Sequence, residues 1–206
     1  MTETDQSEFG APQLTPRFEE ALSYAAELHR TQTRKGSSIP YIAHLMSVAA
    51  LVLEDGGDEE EAIAALLHDA LEDHPDKTSR EEIRRRFGER AAAIVEHCTD
   101  TPPDWSGGLK PPWRGRKETY LRQIRCAPES SRVALADKLH NARSILRDHH
   151  EVGEQVWERF TASKEESLWF YRELVRAFRD AGVTGYLIEA LDRTVTELER
   201  RSGAAG

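Results

Sequence analysis

Residues 62–73 read Ala-Ile-Ala-Ala-Leu-Leu-His-Asp-Ala-Leu-Glu-Asp, an apolar run that takes up ionisable side chains towards its end. If residues 62–71 form a helix, apolar side chains occupy nearly every face of it, which predicts a helix buried inside the protein. Asp58, with Glu61 three residues later, predicts a capping box at the start of this helix. We find no stretch with the alternation of polar and apolar residues that is typical of a half-buried strand. The sequence therefore predicts an all-α fold around this segment.

Terminal residues and helical spacing predict where the other helices lie. Thr15 followed by Pro16 is typical of a helix start. A second helix is predicted to follow Pro40 and to end before Asp55. Residues 101–113 hold four of the nine prolines and two glycines, which predicts a long irregular loop. The remaining helices are predicted near residues 79–87, 89–99, 114–126, 129–147, 154–161, 164–180 and 184–201.

The composition is that of a single acidic domain. The chain has 206 residues, a formal net charge of -9 and no apolar run long enough to cross a membrane. That charge argues against duplex DNA or an anionic membrane as a partner. We predict one domain over residues 14–201, preceded by a disordered tail at 1–13. The N-terminus lacks a signal-peptide pattern, and Cys98 and Cys126 are predicted to be reduced core thiols, which together favour a cytoplasmic protein.

Ionisable residues inside apolar helices are the strongest functional signal. His68 and Asp69 point about 100° apart on a helix, so both can reach one metal ion between them. Asp137 lies in a second apolar segment, residues 132–141, and a buried carboxylate must be paired, hydrogen-bonded or bound to a metal. His44, on an apolar helical stripe, is the best candidate for a further histidine ligand. Imidazole and carboxylate ligands together suit Mn²⁺, Fe²⁺ or Zn²⁺.

Each of these side chains also has a purely structural interpretation. His68 and Asp69 can form a buried hydrogen-bonded pair, and His44 can be a core histidine bonded to the backbone. Asp137 can pair with Lys138 or Arg143. The combination of all four favours a shared metal site over these separate explanations. Surface or packing roles are predicted for the histidines that lie outside any motif, namely His29, His97, His149 and His150.

The order of the motifs resembles a known family. His44, His68-Asp69 and Asp137 match the H…HD…D signature of the HD-domain metal-dependent phosphohydrolases. Three longer blocks of this sequence resemble the hydrolase domain of the Rel/Spo stringent-response enzymes and their stand-alone relatives, the small alarmone hydrolases. The blocks are Arg34-Lys35 with Pro40-Tyr41-Ile42-Ala43-His44, His68-Asp69-Ala70-Leu71-Glu72-Asp73, and Asp137-Lys138-Leu139-His140-Asn141. The similarity extends over residues 17–180, and it implies a single HD-domain helical bundle.

The resemblance also implies an activity. It implies hydrolysis of the 3′-pyrophosphate of guanosine tetra- or pentaphosphate, with Mn²⁺ as the metal and with release of pyrophosphate and GDP or GTP. The implied metal ligands are His44, His68, Asp69 and Asp137. The implied catalytic pair, which activates or positions the attacking water, is Glu72 and Asp73. The implied substrate contacts are Arg34, Lys35 and Asn141.

A second basic cluster is a candidate for binding phosphate groups. Its members lie close to the proline-rich loop and are Lys110, Arg114, Arg116 and Lys117. Cationic side chains hold phosphate as point charges or as bidentate clamps. We predict that Arg116 and Lys117 bind the distal phosphates of the substrate. Tyr41 or Tyr171 is predicted to contact its base or sugar. The alternative explanation for the cluster is a solvated basic face.

The predicted partner is a small-molecule nucleotide, neither a nucleic acid nor a membrane, and no oligomeric state is predicted. Two departures from the resembled family lie near the expected nucleotide pocket. Residues 36–39 are one residue longer than usual, and Leu45 replaces the usual proline. The substrate therefore stays open between (p)ppGpp and another nucleotide: an adenosine alarmone, a deoxynucleoside triphosphate or a nucleoside monophosphate. A catalytically idle nucleotide sensor is a further alternative, against which the intact Glu72 and Asp73 pair argues.

Overall fold

The computed structural model describes residues 14–100, 111–127 and 131–203. Across these residues the regular structure is helical, apart from an isolated antiparallel bridge between Thr33 and Pro40. The α-helices are α1 (Pro16–Leu28), α2 (Ile42–Glu54), α3 (Glu59–Leu67), α4 (Ala70–Asp73), α5 (Arg80–Phe87), α6 (Glu89–Cys98), α7 (Trp113–Cys126), α8 (Ser131–Val152), α9 (Lys164–Asp180) and α10 (Tyr186–Arg201). A 3-10 helix, Gly153–Arg159, separates α8 from α9. The all-α prediction is confirmed. The predicted tail at 1–13 and residues 101–110 of the predicted loop lie outside the described residues.

The predicted helix starts are present as hydrogen-bonded caps. The Thr15 side chain accepts a hydrogen bond from the Arg17 amide at 3.3 Å. Asp58 and Glu61 form both halves of the capping box of α3, with donor–acceptor distances of 3.0 Å. These bonds satisfy amide groups that the first turn of a helix leaves without an intrahelical partner, so both helices begin at a defined residue.

The predicted buried helix is interrupted at the residues that carry the chemistry. α3 ends before His68 and Asp69, and α4 begins after them. His68 Nδ1 lies 2.8 Å from the Ala65 carbonyl oxygen, which is the acceptor that a continuous helix would offer to the Asp69 amide. The prediction of one uninterrupted helix over residues 62–71 is therefore wrong, because a side chain takes the place of a backbone donor.

Two further predicted boundaries are wrong. α8 continues to Val152, beyond the end predicted at residue 147. The helix predicted at 154–161 is the 3-10 helix Gly153–Arg159. Gly153 has a φ of +62°, the left-handed conformation that ends helices and that glycine adopts without a steric penalty. The end of α8 is thus set by this glycine, and the apolar spacing did not locate it.

α3 lies at the centre of the fold. Residues 62–67 are fully buried, and α3 packs against α1, α2, α6 and α8. α8 also packs against α2, α9 and α10. These contacts bring the first turn of α2, the C-terminal end of α3 and the middle of α8 to one place. Within the described ranges, the helices are all too short or too polar to cross a membrane.

The two cysteines are both free thiols. Cys98 is buried, as predicted for a core thiol. Cys126 is exposed, so the prediction of a core position is wrong for this residue. The physical reason is that Cys126 is the last residue of α7 and faces solvent at the end of that helix.

Candidate functional site

The four predicted metal-binding side chains converge from three parts of the fold. His44 lies in the first turn of α2, His68 and Asp69 lie between α3 and α4, and Asp137 lies in α8. His44 Nε2 is 3.2 Å from Asp137 Oδ1 and 3.6 Å from Asp69 Oδ2. His68 Nε2 is 3.0 Å from Asp69 Oδ2 and 3.4 Å from Asp137 Oδ1. Two imidazole nitrogens and two carboxylates therefore face one another; we refer to these four residues as the HD cluster.

The HD cluster fits a divalent metal ion. The side chains of His44 and His68 are 0% and 1% exposed. Their Nε2 atoms are buried and make no hydrogen bond of acceptable geometry, although carboxylate oxygens lie near. A buried polar nitrogen without a partner is costly, and it needs an explanation such as an ion. Two neutral imidazoles and two carboxylates are a donor set that binds divalent transition metals.

Hydrogen bonds behind both imidazoles favour bare Nε2 atoms. His68 Nδ1 must donate to the Ala65 carbonyl, because a carbonyl only accepts, so a neutral His68 has no proton on Nε2. His44 Nδ1 lies 2.8 Å from His140 Nδ1. Burial, with the nearby His44 and Arg34, lowers the pKa of His140 to about 4. A neutral His140 can therefore accept a hydrogen bond from His44, which leaves the His44 Nε2 lone pair directed at the carboxylates.

Asp137 is held by cationic and amide groups. Its Oδ2 accepts from Lys138 Nζ at 2.7 Å, and its Oδ1 accepts from the Asn141 amide, which in turn accepts from Arg34. Burial alone would raise the pKa of Asp137, but the Lys138 ammonium beside it outweighs burial, and the pKa is held well below its usual value. Pairing of Asp137 with Lys138 was the structural alternative to a place in the metal site. The structure contains this ion pair together with the contacts between Asp137 and the two histidines.

Tyr41 links the HD cluster to the solvent-facing part of the site. Its hydroxyl donates to Asp69 Oδ2 at 2.6 Å. Its ring stacks on His29 with centroids 5.1 Å apart, and the Arg34 guanidinium lies 5.5 Å above the ring centre. Burial, followed by the Asp69 carboxylate, raises the pKa of Tyr41 above its usual value. The hydroxyl therefore keeps the proton with which it holds Asp69.

A cavity of about 300 Å³ adjoins the HD cluster. Tyr41, Lys138 and Asn141, which hold the cluster carboxylates, form part of its wall. The predicted substrate-binding residues that line it are Arg34, Lys35, Tyr41, Lys117, Asn141 and Tyr171. The cationic lining residues outside the predicted substrate-binding set are Lys138, Arg147 and Arg159. Cationic side chains outnumber anionic ones in the lining, and a cavity of this size with such a lining suits an anionic organic ligand.

Part of this lining had a signal in the sequence. Asn141, Ser144 and Asp148 follow Asp137 at helical spacing, so one face of α8 runs along the cavity. Arg159 had no such signal, because the 3-10 helix and the loop after Arg34 bring it there. Gly36, in that loop, has a φ of +71°, and a Cβ on it would lie 2.5 Å from Arg159 Cδ.

The predicted basic cluster divides into residues with different partners. Arg116 and Lys117 both pair with Asp100, whose side chain is only 6% exposed. Burial raises the pKa of Asp100, but Lys117 and Arg116 outweigh it and lower the pKa overall. The Arg114 guanidinium lies over the Trp169 ring, 3.1 Å from its centre, and pairs with a glutamate of its own helix. Lys110 lies outside the described residues. Of the three members that the structure describes, only Lys117 lines the first cavity.

The two predicted catalytic carboxylates follow the HD cluster on α4. Glu72 lines a second cavity of about 360 Å³, which shares Lys35, Lys117 and Tyr171 with the first and also contains Arg116. Asp73 Oδ2 accepts a hydrogen bond from Gln32 Nε2 at 2.7 Å. Gln32 is not among the predicted site residues, and a surface or packing role was predicted for its partner His29. The signal that was missed is that Gln32 precedes the basic pair by two residues.

The chain is similar to proteins of known family. A profile of the HD domain matches residues 21–166. The chain is 39% identical over 138 residues to guanosine-3′,5′-bis(diphosphate) 3′-pyrophosphohydrolase of Aquifex aeolicus, a match that covers 65% of this chain and 18% of that protein. It is also 38% identical over 132 residues to guanosine-3′,5′-bis(diphosphate) 3′-pyrophosphohydrolase MESH1 of Xenopus tropicalis. That match covers 62% of this chain and 69% of that protein.

A solved structure has the same fold. It is described as a metazoan ortholog of SpoT that hydrolyses ppGpp and plays a role in starvation responses. The TM-score is 0.72 at 26% sequence identity, over 93% of this chain and 98% of the other. The protein thus belongs to the HD-domain family. The family predicted from the order of the motifs is confirmed.

Proposed function

We propose that this protein is a metal-dependent pyrophosphohydrolase that converts (p)ppGpp and water into GDP or GTP and pyrophosphate. The single observation that carries the proposal is the cation-lined cavity built directly against the HD cluster. Arg34 and Asn141 belong to both, because they line the cavity and form the hydrogen-bonded chain to Asp137. The names of the relatives at 38% and 39% identity support the same substrate and bond.

The HD cluster would hold the metal, and we propose Mn²⁺. His44, His68, Asp69 and Asp137 supply the nitrogen and oxygen atoms, and Tyr41, Lys138 and Asn141 orient the carboxylates. A divalent ion in such a site polarises a phosphoryl oxygen and makes a bound water more acidic. Because Tyr41, Lys138 and Asn141 hydrogen-bond these two carboxylates, Asp69 and Asp137 would be oriented before the ion binds.

Glu72 and Asp73 are the proposed proton-transfer residues. They stand one helical turn beyond His68 and Asp69, so they can meet a water that attacks phosphorus near the HD cluster. The proton taken from that water is returned to the ribose 3′ oxygen as the bond between this oxygen and phosphorus breaks. Atoms balance in this step, because one water is consumed and pyrophosphate and a free 3′-hydroxyl are formed.

The cavity residues would bind the nucleotide. Arg34 offers a bidentate clamp, and Lys35 and Lys117 offer point charges to phosphate oxygens. Tyr41 and Tyr171 line the same cavity and would contact the base or the sugar. Both cysteines are free thiols, as is usual in a reducing compartment, and we place the activity in the cytoplasm.

The test is product analysis of metal-stripped protein incubated with ppGpp, with and without added Mn²⁺. We expect GDP and pyrophosphate in equal amounts, and only when the metal is present. Absence of turnover while the protein demonstrably binds Mn²⁺ would contradict the proposed substrate. Tripolyphosphate from a deoxynucleoside triphosphate, orthophosphate from a monophosphate, or pyrophosphate from ppApp alone would each identify another nucleotide. Tight binding of ppGpp without turnover would identify a sensor.

Lys117→Ala is expected to weaken substrate binding. Lys117 lines both cavities, and a charge-assisted hydrogen bond contributes about 1.5–3 kcal/mol, so KM should rise about 10-fold or more while kcat changes little. Arg116→Ala should have a smaller effect, because Arg116 lines only the second cavity. Arg122→Ala, on the exposed side of the same helix, is the matched control and should leave KM unchanged. An unchanged KM in Lys117→Ala would remove this residue from the phosphate site.

A further inference from the structure

Gln32 bridges two histidines and one of the proposed catalytic carboxylates. Its Nε2 donates to Asp73 Oδ2 at 2.7 Å. Its Oε1 lies 2.7 Å from His29 Nδ1 and 3.0 Å from His74 Nε2. His29 lies at the end of α1, whereas Asp73 and His74 are neighbours at the end of α4, so the amide joins two segments that are distant in sequence.

The orientation of this amide follows from its partners. A carboxylate only accepts hydrogen bonds, so the NH₂ group must face Asp73 and the carbonyl must face the two imidazoles. Each imidazole can meet that carbonyl with one N–H group. Burial lowers the pKa of His29 to about 4 and also lowers the pKa of His74. Both rings can therefore remain neutral and serve as donors to the amide.

Backbone hydrogen bonds and ring contacts also hold the Gln32 segment in place. Its backbone amide donates to the His29 carbonyl at 3.0 Å, and its carbonyl accepts from the Tyr41 amide at 2.9 Å. The His29 ring is buried and lies between the stacked Tyr41 ring and the edge of His74, with centroids 5.1 Å and 4.5 Å away. Tyr41 also holds Asp69. One connected set of hydrogen bonds and ring contacts therefore links a residue of the HD cluster to Asp73.

We propose that Gln32, oriented by His29 and His74, is a positioning residue that holds the Asp73 carboxylate ready for proton transfer. The inference rests on the proposed function, in which Asp73 takes part in the chemistry. A carboxylate on a one-turn helix has several side-chain rotamers, and a fixed amide donor selects one of them. Gln32 thus acts on the reaction through Asp73 and not by contact with the nucleotide.

The test is a double-mutant cycle of Gln32→Leu and Asp73→Asn in the full chain with Mn²⁺. We expect Gln32→Leu to lower kcat about 10- to 100-fold, the usual range for loss of an orienting partner, with KM and bound metal unchanged. In the Asp73→Asn background the same change should have no further effect. Multiplication of the two effects would overturn the proposal, because Gln32 would then act independently of Asp73.

A second variant covers the case in which the leucine disturbs the fold. Gln32→Glu keeps the size of the side chain and its acceptor for the histidines, but replaces the donor to Asp73 by a negative charge. We expect a similar loss of kcat, with the acid limb of its pH profile moved to higher pH, because the ionised form of Asp73 is disfavoured. Gln123→Leu, a half-buried glutamine on α7 outside both cavities, is the matched control and should behave as wild type. An unshifted, wild-type profile for Gln32→Glu would overturn the proposal.

A crystal structure of Gln32→Leu separates this inference from the proposed function. If wild-type protein does not hydrolyse ppGpp, the proposed substrate fails, but the position of the Asp73 carboxylate can still be read from the density. We expect that carboxylate to leave its wild-type rotamer or to occupy more than one. An Asp73 side chain unchanged from wild type would overturn the positioning role, whatever the substrate is.

Discussion

Protein carrying His68→Ala is expected to lose its metal and, with it, all measurable turnover. His68 Nε2 is a buried nitrogen that faces both cluster carboxylates, and alanine leaves no donor atom in its place. Loss of a residue that only orients a metal ligand lowers metal affinity by about 10- to 100-fold. Loss of His68, a proposed ligand itself, should lower the affinity by more than about 100-fold. The measurement is metal content after equilibration with limiting Mn²⁺, together with the initial rate on ppGpp.

His97→Ala is the matched control for this experiment. His97 also bonds a helix carbonyl through Nδ1, to Ala93 at 2.9 Å, but it lies on α6 outside the HD cluster. It should retain wild-type metal content and rate. Circular dichroism checks that His68→Ala, which empties space in the core, remains folded. A folded His68→Ala that binds Mn²⁺ as tightly as wild type would contradict the metal site.

Asp73→Asn is expected to keep the fold and the metal while losing turnover by about 10²- to 10⁴-fold, the contribution of a positioned general acid or base. The substitution preserves the shape of the side chain and a carbonyl that can still accept from Gln32, but it removes the group that takes the proton. KM should change little, because Asp73 does not line either cavity described here. The measurement is kcat and KM for ppGpp at saturating Mn²⁺.

Asp76→Asn is the matched control for that variant, since it is an exposed aspartate just beyond α4. Its kcat should equal that of wild type. Wild-type activity in Asp73→Asn would move proton transfer to Glu72 or to another group, and it would also remove the basis of the role proposed for Gln32. Loss of metal in Asp73→Asn would instead point to a role within the metal site.

The sequence by itself determined the helical class and the identity of the HD cluster. Both are encoded locally: an apolar run wider than one helix face predicts a buried helix, and a capping box marks its start. The residues that meet at the HD cluster could be named because charges in such segments need partners, and that requirement can be read without coordinates. The order of the three motifs then identified the family.

Local signals did not locate the end of α3, the end of α8 or the exposure of Cys126. Nothing in the spacing of residues 62–71 indicated that His68 would bond Ala65 and end α3. The end of α8 depended on the left-handed conformation of Gly153. Cys126 and Cys98 were both predicted to be core thiols, yet Cys126 is exposed because the end of its helix faces solvent.

Only the tertiary structure decided which side chains support the cluster and line the cavity. His44 and His140 are 96 residues apart in the chain, and Gln32 and Asp73 are 41 apart, yet each pair is in hydrogen-bond contact. Arg159 reaches the cavity because a 3-10 helix packs on α8. Such contacts depend on how helices cross, and the crossing is set by interlocking side chains from many segments at once. The spacing of apolar residues within one helix does not indicate how that helix crosses the others.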